Sequence, residues 1–181
     1  MKIIAFTGAG ISKSAGIPTF EEVPGLKDKL SIDFKQNHPI EFTKTIKQLI
    51  ANFRHKKPTK AHNILALFNV PIITMNIDCL HTKAGSKKVF EIHGNYKDNN
   101  IVLYGEKMLC SKEALNLLFT TAVDAQKTEE EVTLLIIGTS MQTSFANVLK
   151  DYATQLGITI KEINTNADVE VPKFFKDLYG I

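Results

Sequence analysis

The stretch Lys2-Ile3-Ile4-Ala5-Phe6-Thr7-Gly8-Ala9-Gly10-Ile11-Ser12 decides the fold. A strand with one face in water alternates polar and apolar residues. The unbroken run from Ile3 to Phe6 instead reads as a strand covered on both faces, the pattern of a parallel sheet under helices. The glycines that follow let the backbone approach another group closely, and a helix opening after them would offer free N–H groups to an anion. Working outward, similar runs at Pro71 to Met75, Val89 to Ile92, Ile101 to Tyr104, Thr133 to Ile137 and Ile158 to Ile163 predict six strands in all.

Helical periods lie between these runs. Phe42, Ile46, Leu49, Ile50 and Phe53 recur at helix spacing, as do Ala61, Ile64, Leu65 and Phe68. Later come Leu115, Leu118, Phe119 and Ala122, then Phe145, Val148, Leu149, Tyr152 and Leu156. Thr59 is placed to cap the second helix, Gly157 to end the fourth, and Pro172 to open a short last one. Strands alternating with helices predict an α/β fold, a Rossmann-like open parallel sheet with helices on both faces, in one domain over residues 1–181.

Such sheets bind ligands beyond the carboxyl ends of their strands. Five polar clusters fall there: Gly8-Ala9-Gly10, Asn76-Ile77-Asp78, His93-Gly94-Asn95, Gly138-Thr139-Ser140 and Asn164. The usual dinucleotide fingerprint would place a third glycine at position 13, which is Lys13, so an ordinary nicotinamide dehydrogenase is not expected. The 181 residues carry 22 basic and 19 acidic side chains, a net charge of +3 too small and scattered to predict direct nucleic-acid binding. No run approaches the roughly 18 apolar residues of a membrane helix, and neither a signal peptide nor a membrane partner is expected. The two cysteines, Cys79 and Cys110, form no CxxC pair, so no metal site and a reducing, cytoplasmic location are expected.

Read as longer strings, these clusters resemble the sirtuin (Sir2-like) family of NAD-dependent protein deacylases. Gly8 to Phe20 (GAGISKSAGIPTF) looks like its first signature, and Thr74 to His81 (TMNIDCLH) its second. Glu91-Ile92-His93-Gly94 is similar to the segment holding the catalytic histidine, and Tyr104-Gly105-Glu106 to a Phe-Gly-Glu loop. Gly138-Thr139-Ser140 and Ile163-Asn164 match later cofactor segments, and Pro58 with His62 a Pro-x-x-x-His element. The matches run in order from Gly8 to Asn164.

The resemblance implies NAD as cofactor and an acyl-lysine protein or peptide as substrate. It places the pyrophosphate on Gly8, Ala9 and Gly10, with Gly138, Thr139 and Ser140 toward the phosphate or adenosine and Asn164 at the adenosine ribose. Ile17 and Asp78, with Ile77 between Asp78 and Asn76, would hold the nicotinamide carboxamide, and Phe20 would shield the reacting sugar carbon. Asn76 would position water or the nicotinamide ribose. His93 would be the general base that takes a proton from a ribose hydroxyl, a task suited to imidazole. His62, His81 and Cys79 are read as structural.

Four departures stand out. Residues 94–101, eight in all, separate His93 from Val102 and include no cysteine, so the small zinc-binding domain usual in the family is expected to be absent. Glu21 replaces an arginine that could pair with phosphate. Met75 replaces a glutamine that could donate to a ribose hydroxyl. Thr19 stands where many members carry aspartate. Three functions are therefore expected in turn: lysine deacylation with release of nicotinamide, NAD hydrolysis or ADP-ribosyl transfer without an acyl acceptor, and NAD or ADP-ribose binding without turnover.

Overall fold

Alternate residues of β1 (Lys2–Thr7) enter different cores. Ile4 and Phe6 join Leu134 and Ile136 of β4 (Val132–Ile137) in one apolar cluster, and Ile3 and Ala5 join Leu135 and Ile137 in another. The computed structural model, which describes residues 1–141 and 143–180, thus shows why Ile3 to Phe6 and Leu134 to Ile137 are apolar at successive positions. β2 (Ile72–Thr74), β3 (Val89–Glu91) and β5 (Thr159–Ile163) complete an all-parallel sheet of order β3-β2-β1-β4-β5. In register, Ala5 lies between Ile72 and Leu135.

Helices cover both faces, as expected. The connection from β1 to β2 holds α1 (Leu26–Lys29), α2 (Ile32–Asn37), α3 (Pro39–Arg54) and α4 (Lys60–Leu67). After them come α5 (Leu80–Lys83), α6 (Ser111–Thr128), α7 (Ser144–Gln155) and α8 (Ala167–Tyr179). Leu118 of α6 and Leu149 of α7 pack on the Ile4–Phe6 side, while Leu65 of α4 and Phe175 of α8 pack on the Ile3–Ala5 side. Each such side chain contributes about 1.5–3 kcal/mol when fully buried. Thr59 caps α4 by accepting the His62 N–H, and Gly157 follows α7 in the left-handed conformation. Among the described residues no helix is long and apolar enough to cross a membrane.

Two expectations are corrected. Ile101 to Tyr104 is no sheet strand: Tyr104 makes a single parallel bridge to Ser31, and the Leu103 N–H goes to the Glu106 carboxylate, so no ladder propagates. Pro172 does not open α8, which begins at Ala167 and continues through the proline. Burial of Ala167, Val171 and Phe175 along one face outweighs the hydrogen bond the proline cannot donate. The helix expected at the first glycines is present, as a 3₁₀ helix over Ala9–Ala15.

Candidate functional site

The strand order reverses between β1 and β4, and the loops leaving those two strands touch backbone to backbone. Gly8 donates its N–H to the Ile137 carbonyl at 3.0 Å, and Gly10 donates to that of Gly138 at 2.8 Å. A Cβ on Gly10 would lie 2.6 Å from the Gly138 Cα, and one on Gly138 would collide with the Ile11 nitrogen. These glycines therefore join two loops, and their N–H groups are already spent. That corrects the expectation of a turn with free donors: the N–H of Ala9 alone among Gly8, Ala9, Gly10 and Ile11 has no partner among the described residues.

Beside this junction the first turn meets the end of β2. Ser12 donates its hydroxyl to Asp78 Oδ2 at 2.7 Å, and Asn76 Nδ2 donates to the Gly8 carbonyl at 3.1 Å and to Ser12 Oγ at 3.4 Å. Asp78 Oδ1 accepts the Leu80 N–H. All three side chains are buried, and burial raises the Asp78 pKa against the pull of those two donors. Ser12 was not singled out from sequence, although a hydroxyl one turn past paired glycines is a legible signal.

A cavity of about 220 Å³ opens against this network. It is lined by Ala9, Ile17, Phe20, Asn76, Ile77 and Asp78, and on the α3 side by Leu49, Asn52 and Phe53. Six expected site residues thus share one cavity. In the sequence the α3 side shows only as a helical period. Glu22, beside Phe20, is drawn away to Lys13 at 2.6 Å and caps its own turn through Thr19, with its pKa lowered to about 2 chiefly by the lysine. Glu21 is exposed.

His93 lies beyond β3 and is not part of the cavity wall. Its Nδ1 sits 3.2 Å from the Met75 carbonyl, one residue before Asn76. A carbonyl only accepts, so Nδ1 carries the proton and Nε2 keeps its lone pair. Burial lowers the His93 pKa below its ordinary 6.5, outweighing the Met75 bond that raises it, so the neutral ring is favoured at pH 7. Met75 also accepts the Thr143 hydroxyl at sulfur, 3.3 Å away.

The remaining expected residues lie over β4 and β5. Thr139 is buried, donates its N–H to Asn164 Oδ1 at 3.2 Å, and accepts the Met141 N–H at Oγ1. Ser140 and Asn164 are exposed. The structure brings this group to the same sheet edge but outside the cavity.

His62 and His81, read as structural from the sequence, form a pair. Their rings are 4.5 Å apart between centroids and buried beneath the site. Thr59 bonds His62 Nδ1 at 2.7 Å and Thr7 bonds His81 Nε2 at 2.9 Å. Cys79 is buried, Cys110 is exposed, and both are free. Among the described residues no three His, Cys, Asp or Glu side chains gather as metal donors do, so the residues present do not fit the family's zinc site.

The model of the Sir2 family matches residues 8–100, which hold the glycine turn, the Asn76–Asp78 network and His93. The chain belongs to the Sir2 family. A relative named NAD-dependent protein deacylase in Aeropyrum pernix is 30% identical to this Sir2-family chain over 89% of it and 80% of the relative. An NAD-dependent protein deacetylase of Thermotoga maritima is 43% identical over 52% of this chain and 43% of the relative. A solved structure of Sir2 with a p53 peptide and NAD+ superposes with a TM-score of 0.80 at 25% identity, covering 97% of this chain and 92% of that one. The chain spans about half the length of several of the curated relatives it matches.

Proposed function

We propose that this Sir2-family chain is an NAD-dependent lysine deacylase, working as one domain over residues 1–181 in the cytoplasm. The two free thiols suit a reducing compartment. The cavity fits part of a dinucleotide: at about 220 Å³ it is smaller than the roughly 300–1,000 Å³ of drug-sized ligand pockets, so it suits a nicotinamide-sized end. The unpartnered Ala9 N–H faces the need of a pyrophosphate for a donor. NAD, when bound, supplies an electrophilic ribose carbon and nicotinamide as its leaving group.

The chain's own groups then have separate tasks. Asp78, buried and pinned by Ser12 and Leu80, accepts from the carboxamide, and Ile17 closes over it. Phe20 keeps water from the sugar, and Asn76 orients a hydroxyl or a water. Thr139, Ser140 and Asn164 hold the adenosine side. Glu21 and Met75 leave the phosphate and ribose with fewer donors than the family pattern, so Ala9 carries more of the anchoring.

His93 accepts a proton at Nε2 from a ribose hydroxyl, and the acyl group passes from the lysine to the ADP-ribose moiety, so that free lysine, nicotinamide and an acylated ADP-ribose leave. The observation that carries this reading is the Nδ1 bond to Met75, which leaves a neutral imidazole with its basic nitrogen available. The test is nicotinamide release from NAD with and without an acetyl-lysine peptide. Release that depends on peptide is the expected result. Release without peptide would make the chain a glycohydrolase or ADP-ribosyltransferase, and binding without release a sensor module.

A further inference from the structure

His93 sits two residues beyond a three-residue edge strand, a weak mooring for a base. The eight residues that follow fold into a tight knot around the Asn95 side chain, which is only 4% exposed. Its two Nδ2 hydrogens go to Glu91 Oε2 at 2.6 Å and Asp98 Oδ2 at 2.8 Å. Its Oδ1 accepts the N–H groups of Lys97 and Asp98, both at 2.8 Å, so every donor and lone pair of the amide is used. The Asn95 N–H in turn donates to Asn100 Oδ1 at 2.8 Å.

Glu91 ends β3 and Asp98 lies across the turn, so one amide clamps the two ends of the segment that carries His93. The backbone closes the same ring. Gly94 donates to the Glu91 carbonyl and Val102 to that of His93, and a Cβ on Gly94 would collide with the Asn100 carbonyl. Glu91 and Asp98 repel each other, and burial and that repulsion raise the Glu91 pKa; the Asn95 donors oppose both.

We propose that Asn95 is the positioning residue for His93: by tying Glu91 to Asp98 it holds the His93 backbone where Nδ1 meets the Met75 carbonyl and Nε2 is left as the proton acceptor. The inference builds on the reading of His93 as the base. Asn95→Asp keeps the acceptor for the two turn N–H groups but sets a third carboxylate against Glu91 and Asp98. Ring nitrogen NMR of the wild-type chain at pH 7 is expected to show His93 as a single Nδ1–H tautomer. In N95D that signature is expected to collapse to an average of two tautomers, and kcat for peptide-dependent nicotinamide release to fall about tenfold with KM for NAD little changed.

Adding Glu91→Gln to N95D restores a donor between the two side chains and is expected to recover the tautomer. Should N95D fail to fold, Glu91→Ala removes the same tie while leaving the turn intact, and the same NMR change is expected. An unaltered His93 tautomer in N95D or in E91A would overturn the proposal. The NMR arm decides it even if the wild-type chain releases no nicotinamide, a result that would count against the deacylase reading alone.

Discussion

Beyond β1 and β2 the sheet edge is held by buried side chains: Ser12, Asn76 and Asp78 bond one another across more than sixty residues of sequence. Beyond β4 and β5 it is held by backbone and surface contacts: Gly138 pressed on Gly10, and an exposed Asn164 reaching the Thr139 N–H. Buried hydrogen bonds cost the full desolvation of a partner when broken, whereas exposed ones are replaced by water. The first half is thus preorganised for chemistry. The second holds its shape by close approach of glycines and exposes Ser140 and Asn164 to water.

The largest effect is expected where the two halves meet. Gly138→Ala combines a backbone φ of +59° with a collision on the Ile11 nitrogen, and should destabilise the fold by more than about 3 kcal/mol in urea denaturation. A loss under about 1 kcal/mol would mean the two loops can part. His93→Ala should lower acyl transfer roughly 10²–10⁴-fold while leaving NAD binding nearly intact by calorimetry. Equal loss of both would place the base elsewhere. In the wild type the acid limb of kcat/KM should lie below pH 6.5, because burial lowers the His93 pKa of the free chain under that value.

Acid tests the layer beneath the first half. Burial lowers the His62 pKa from 6.5 to about 4, and that of His81 also falls, by burial and by its neighbour His62. The unfolded chain therefore binds protons the folded chain refuses, so stability is full above pH 6.5 and is lost as pH falls toward 4. The loss from His62 alone is on the order of 3 kcal/mol. Urea midpoints across that range should show it, and His62→Gln should flatten the slope. The smallest effects contrast the two halves directly. Ser12→Ala should cost about 1–3 kcal/mol by stripping the buried Asp78 carboxyl of one of its two donors, and Asn164→Ala no more than about 0.5 kcal/mol. Similar values for the two would erase the distinction.

Much of this was legible in the chain itself. The continuous apolar run from Ile3 to Phe6 announces a strand covered on both faces, and both cores are drawn from its alternate residues. The string patterns also led to Ala9, Ile17, Phe20, Asn76, Ile77 and Asp78, which do line one cavity. Asn95 stands in the His93-Gly94-Asn95 cluster and Ser12 just past the paired glycines, but only the partners the fold brings to them, Glu91 and Asp98 for one and Asn76 and Asp78 for the other, give them a role. Ile101 to Tyr104 misled for a similar reason: an apolar run signals burial, but whether a sheet edge receives it depends on where the chain returns.

Local composition and period determined the parallel α/β sheet, its strand ends and the family resemblance, since these depend on near neighbours along the chain. Contacts between distant segments decided the rest. The glycines of the first turn proved to be spacers against Gly138, Ser12 became the joint between Asn76 and Asp78, and the Met75 carbonyl chose which nitrogen of His93 holds its proton. Hydrogen bonding of a buried group is set by what the fold places within about 3 Å of it, and no spacing along the sequence encodes that distance.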